Sequence, residues 1–125
     1  PLFKRLKLLK VNDIRKYFEI KFYHKYSNNI LPEYFNDFAR NNEYYYSGRS
    51  TRSRYRLSVP VHRHCFCKSG LRWSLVETIN SCPDSILNKM LTHSIKAVSQ
   101  QYKSFLFEEY QETCTIQNCY VCNRQ

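Results

Sequence analysis

Thr92-His-Ser-Ile-Lys-Ala-Val-Ser-Gln-Gln-Tyr-Lys-Ser-Phe-Leu-Phe-Glu-Glu-Tyr110 is the stretch that decides the fold class. Ile95, Val98, Tyr102, Phe105 and Leu106 recur at spacings of three and four, which gathers them into one apolar stripe of an α-helix. Thr92 offers a hydroxyl in front of that stripe as an N-cap, and the pattern runs out near Tyr110. A helix with one apolar stripe must bury it against further elements, so the rest of the chain has to supply partners.

The same period recurs upstream. Trp73, Leu75, Val76 and Ile79 predict a short helix. Ser81-Cys82-Pro83-Asp84 then supplies a cap, a proline near a first turn and an early acid, leading into Ile86, Leu87, Met90 and Leu91. Nearer the start, Asn12 or Asp13 can cap a helix over residues 13–27 whose stripe is Ile14, Tyr17, Phe18, Phe22 and Tyr26. Ser27-Asn28-Asn29 ends it, and Leu31-Pro32 opens a brief helical turn through Phe38. Residues 40–56 are polar, contain Gly48 and lack an apolar period, which predicts a loop. Leu57, Val59 and Val61 alternate with Arg56, Ser58 and Pro60, the period of a short edge strand. The expectation is a mainly α fold, a small helical domain over 1–125 with a short β element near residues 56–67 and a cysteine-containing tail at 111–125. Its core should draw on Ile14, Phe18, Phe22, Leu31, Phe35, Leu75, Ile79, Ile86, Leu87, Ile95, Val98, Tyr102 and Phe105.

Charge is distributed unevenly along this framework. Residues 1–72 carry 16 Lys and Arg against 5 Asp and Glu, whereas residues 73–125 carry 4 against 5. An excess of cations confined to one half points to a polyanionic partner for that half. Arg49, Arg52, Arg54, Arg56 and Arg63, interleaved with Tyr44–Tyr46 and Tyr55, combine guanidinium forks for phosphates with ring faces for base stacking. Lys21 and Lys25 add cations on the first long helix. The alternative is a solvated basic surface that serves solubility alone. Contacts of this kind hold a backbone without reading its sequence.

Chemistry of other kinds finds few candidates. The ten acids are scattered, with no Asp-Asp pair for two-metal polymerisation. The two glycines, Gly48 and Gly70, form no phosphate loop. Cys65 adjoins His64, but nothing beside it resembles a nucleophile motif, so no catalytic residue is assigned. Cys114, Cys119 and Cys122 place three soft ligands in nine positions, a zinc half-site whose fourth ligand would come from His93, from the His62, His64, Cys65 and Cys67 cluster, or from residues beyond the fragment. The competing reading of the same tail is free thiols. His24, among aromatic residues, reads as structural. No signal peptide and no apolar run of membrane-spanning length is visible, so the expected setting is intracellular, nuclear or cytoplasmic, without a membrane partner. The apolar pattern already runs at Leu2 without an initiator Met, which suggests a fragment.

Several stretches taken in order resemble a known family. Leu2-Phe-Lys-Arg-Leu-Lys-Leu-Leu-Lys-Val-Asn-Asp-Ile-Arg-Lys-Tyr17, Phe22-Tyr-His-Lys-Tyr26 and Leu31-Pro-Glu-Tyr-Phe35 are similar to the region downstream of the polymerase core in non-LTR retrotransposon reverse transcriptases of the LINE, jockey-like group. Thr51-Arg-Ser-Arg54 with Val59-Pro60, then Asn80, Pro83, Thr92-His-Ser-Ile95 and the Tyr102–Tyr110 stretch resemble the later part of the same region, and Ile116-Gln-Asn-Cys-Tyr-Val-Cys122 resembles a cysteine tail. Val76 departs from the pattern, standing where the family has proline. The resemblance implies a non-catalytic C-terminal accessory segment of an RNA-directed DNA polymerase, with RNA or DNA and the upstream polymerase domain as partners. A structural docking tail and a small zinc module are the rival expectations.

Overall fold

The computed structural model of the chain describes residues 2–36, 38, 57, 70–110 and 117. Among them are five α-helices: α1 (Leu2–Arg5), α2 (Val11–Ser27), α3 (Leu71–Ser81), α4 (Asp84–Leu87) and α5 (Ile95–Glu108), with a 3-10 turn at Glu33–Phe35 between α2 and α3. The fold is mainly α, as the apolar periods require. The β element expected near residues 56–67 lies outside the described residues except for Leu57, a buried single bridge residue.

α2 is the axis of the arrangement. It packs against α3 on one flank and α5 on the other, while α4 leans on α5. Ile20 and Tyr23 of α2 meet Leu75, Val76 and Ile79 of α3, Ile86, Leu87 and Met90 around α4, and Val98, Tyr102 and Leu106 of α5. Leu57 enters this core on the arm of Asn80: its N–H donates to the Asn80 side-chain oxygen at 2.8 Å, and the Asn80 amide donates back to its carbonyl at 3.1 Å. One side-chain amide thereby satisfies both backbone groups of a buried residue.

Six of the core residues expected from the sequence are buried: Leu75, Ile79, Ile86, Leu87, Val98 and Tyr102. Phe22 and Phe105 pack against the core at its edge. Leu31, Phe35 and Ile95 are half-buried. Ile14 and Phe18 are corrections, since they are 42% and 60% exposed. The reason is a carboxylate. Glu19 is buried on the opposite side of α2, where its two oxygens accept from Ser74 Oγ and Thr78 Oγ1, each at 2.5 Å. The two hydroxyls stand in for the water that the buried carboxyl group loses. Rotating α2 to bury Ile14 and Phe18 would take Glu19 away from the two hydroxyls that α3 aims at it, or leave its charge buried without donors, a cost of several kcal/mol. Between the Ile14–Phe18 ridge and the Ile20–Tyr23 ridge, α2 is apolar on two sides.

Helix ends also differ from expectation. Lys10, not Asn12 or Asp13, is the N-cap of α2, and it has no side-chain cap. The Tyr110 hydroxyl takes over at this end. It accepts from the Lys10 N–H at 2.8 Å and donates to Asp13 Oδ2 at 2.6 Å, while Lys10 Nζ sits 4.7 Å from the ring centre. At the other end, Asn29 in the left-handed region (φ 54) closes α2 with the paired bonds Ile30 N to Lys25 O and Asn29 N to Tyr26 O. The cap of α5 is Ser94, which accepts from Ala97 N at 3.3 Å, while the Thr92 hydroxyl pairs with His93 Nδ1.

Two substitutions test these polar ties. Thr78→Val keeps the shape but removes a donor from buried Glu19, and should lower unfolding free energy by about 1–3 kcal/mol in denaturant melts. Tyr110→Phe leaves the Lys10 N–H and the Asp13 carboxylate to be solvated again and should cost about 1 kcal/mol, with increased amide exchange at the first turn of α2 as its local signature.

Candidate nucleic-acid interface

α2 brings Lys21 and Lys25 to one flank because residues four apart share a helix face. Lys25 is exposed and Lys21 half-buried. Among the described residues neither has a carboxylate within ion-pair distance. The two cations of α2 that do are Arg15, 3.7 Å from Glu19, and Lys16, 3.4 Å from Asp13. Asp13 and Glu19 are also the only acids of α2, and both are turned into internal hydrogen bonds. Among the described residues, nothing offsets the positive charge around Lys21 and Lys25.

Aromatic rings stand beside those cations. Lys21 Nζ lies 4.5 Å from the centre of the Tyr17 ring and 5.7 Å from that of Phe18, and the two rings meet edge to face at 5.7 Å. Each cation–π contact is worth about 0.5–1 kcal/mol at a wet site, enough to order the ammonium without neutralising it. The Tyr17 hydroxyl is held below the usual phenol range, first by a hydrogen bond with Ser99, then, against the effect of burial, by Lys21 and Lys103. Lys103 of α5 thus acts on the Tyr17 hydroxyl through its charge, while its Nζ lies 5.6 Å from the centre of the Phe107 ring. Sequence reasoning missed it because charge was summed along the chain, and Lys103 lies in the half without an excess. Its signal was the spacing Lys96, Ser99, Lys103, one flank of α5 beside the apolar stripe.

Arg49, Arg52, Arg54, Arg56, Arg63 and Tyr55 lie outside the described residues, as do Cys114, Cys119 and Cys122 and the His62–Cys67 cluster. Among the described residues no group of three or more His, Cys, Asp or Glu is placed to hold a metal ion. His93, a possible fourth ligand by sequence, is exposed with its Nδ1 on Thr92. His24 is structural, as its aromatic neighbours suggest: it is buried, and its Nε2–H donates to the His93 carbonyl at 2.8 Å. Beside it, Asn28 Nδ2 donates to the carbonyls of His24 and Met90, so two side chains at the end of α2 fasten the turn before α5. Cys82 is buried, and burial, helped by Asp84, pushes its thiol up to about 12. It behaves as a small apolar residue.

Among the described residues no helix is long and apolar enough to cross a membrane. Comparison of the chain with protein-family models, with curated proteins and with solved structures finds no match in any of the three.

The titration of the buried groups has a direction. Cys82, Tyr23, Tyr102 and Tyr110 are all raised, in each case chiefly by burial. Groups raised on folding favour the folded chain while they stay neutral, and that contribution is lost as pH climbs from the unfolded range, 9.0 for the thiol and 10.0 for the phenols, toward the folded values. Stability should therefore fall progressively above that range. Absorbance titration should show Tyr17 ionising before the unfolding transition, with Tyr102 ionising only as the fold is lost. Simultaneous ionisation of every tyrosine in a still-folded chain would contradict this.

Proposed function

We propose that the chain is a non-catalytic accessory segment of an RNA-directed DNA polymerase of the non-LTR retrotransposon type, and that it holds a nucleic-acid strand for that enzyme. On this reading it works inside the cell, in the nucleus or cytoplasm, with RNA or DNA and the upstream polymerase domain as partners. The observation that carries the proposal is the fate of charge on α2. Its carboxylates are drawn into the fold by Ser74, Thr78 and Tyr110, while Lys21 and Lys25 stay on the outer flank without counter-charges among the described residues. The cationic excess of residues 1–72, with Arg49, Arg52, Arg54, Arg56, Arg63 and Tyr55, supports the same reading at the level of sequence, as does the ordered resemblance.

Ammonium groups on a helix flank bind phosphates as point charges and release condensed counterions, so affinity depends steeply on salt. The Tyr17 and Phe18 rings beside Lys21 add apolar faces for unstacked bases. Filter-binding titrations with single-stranded RNA and with duplex DNA, repeated across salt concentrations, test the proposal. The double variant Lys21→Ala/Lys25→Ala should flatten the log–log slope by roughly 1.4–1.8, the loss of two phosphate contacts. Affinity that does not change with salt, or a slope that ignores the double variant, would count against it.

A further inference from the structure

Val11, Ile14 and Phe18 succeed one another at intervals of three and four along the outer ridge of α2, and they are 83%, 42% and 60% exposed. Single exposed apolar residues are ordinary. These are not scattered: seven of the eleven exposed large hydrophobics among the described residues fall within residues 2–18. The same ridge continues into Phe22, and there it is covered, because Phe35 and Phe38 lie edge to face on the Phe22 ring at 5.5 Å each. Among the described residues the C-terminal part of the outer ridge is thus shielded and the N-terminal part is not.

We propose that the ridge Val11–Ile14–Phe18 is a docking seam for an amphipathic helix of another protein, one whose apolar stripe is flanked by Asp and Glu. The spacing of the three side chains is that of the a and d positions of a helix-pairing seam, and anchors at these intervals are how one helix seats on another. The flanks choose the partner's charge. Arg15 and Lys25 are exposed beside and beyond the ridge, and Arg5, Lys7 and Lys10 are exposed just before it. Asp13 and Glu19, the acids of α2 itself, are engaged inside the fold, Glu19 also lying 3.7 Å from Arg15. A cationic frame around an apolar seam is complemented by a carboxylate frame. It opposes a second copy of the chain, which would set lysine and arginine against their like. A nucleic-acid backbone would leave Val11 and Ile14 in water with nothing gained. The seam and the nucleic-acid reading share Phe18 and Lys25 at their border, whereas Val11 and Ile14 belong to the seam alone and so separate the two.

The test uses the full chain and a synthetic helical peptide with leucine at a and d and glutamate at e and g, followed by fluorescence anisotropy. Control peptides carry lysine in place of glutamate, or serine in place of leucine. Binding of the glutamate peptide alone is expected, weakened at least tenfold by Val11→Ser/Ile14→Ser and unchanged by Leu91→Ser, an exposed apolar position elsewhere. Nucleic-acid binding by the same double variant should stay at the wild-type level. Hydrogen exchange on the wild-type chain gives a second readout that needs no variant, with protection by the peptide expected at residues 11–18. Equal binding of the glutamate and lysine peptides, or protection elsewhere, would overturn the proposal. So would loss of oligonucleotide affinity in the double variant, flotation with phosphatidylserine vesicles that depends on Val11 and Ile14, or self-association through them in sizing experiments.

Discussion

Glu19 is a carboxylate inside a helical core, and the two hydroxyls that reach it come from successive turns of α3. Burying such a group costs several kcal/mol unless donors replace the water it loses. Ser74 and Thr78 stand four residues apart, so both face one way, and they fix both the rotation of α2 and its placement on α3. Ile20 and Tyr23 are carried inward by that rotation, and Val11, Ile14 and Phe18 are carried outward. A core of aliphatic side chains alone would tolerate several rotations of α2 with similar burial. The polar contact selects one of them.

α2 to α5 were legible in the sequence because apolar periods are local signals, whereas α1 was not anticipated. α3, α4 and α5 fall where Leu75 and Ile79, Ile86 and Leu87, and Val98 and Tyr102 announce them. The face of α2 was not legible. Its most regular stripe, Ile14, Phe18, Phe22, is the outer one, and the inner one is interrupted by Glu19 and His24, residues that a hydrophobic pattern counts against burial. Both are buried because other elements answer them, Ser74 and Thr78 for the carboxylate and the His93 carbonyl for the imidazole. Such pairings join residues more than fifty positions apart, and no local period encodes them. Cap residues failed for a related reason: the start of α2 is served by Tyr110, a residue a hundred positions away.

The candidate interface shows the same division. Lys21 and Lys25 share a flank by helix geometry, which spacing along one helix reveals. Lys103 acts on Tyr17 only because α5 packs beside α2, so its part depends on tertiary placement. Charge summed along the chain identifies a cationic half, whereas the surface is organised by which carboxylates are drawn inward. Asp13 and Glu19 offset Lys16 and Arg15, while Lys21 and Lys25 keep their charge without a counter-ion among the described residues.

The phenol of Tyr110 touches both the Lys10 amide and the Asp13 carboxylate, so the start of α2 and the residues just past α5 are tied at a single corner. A segment joined after residue 110 therefore starts beside the first turn of α2.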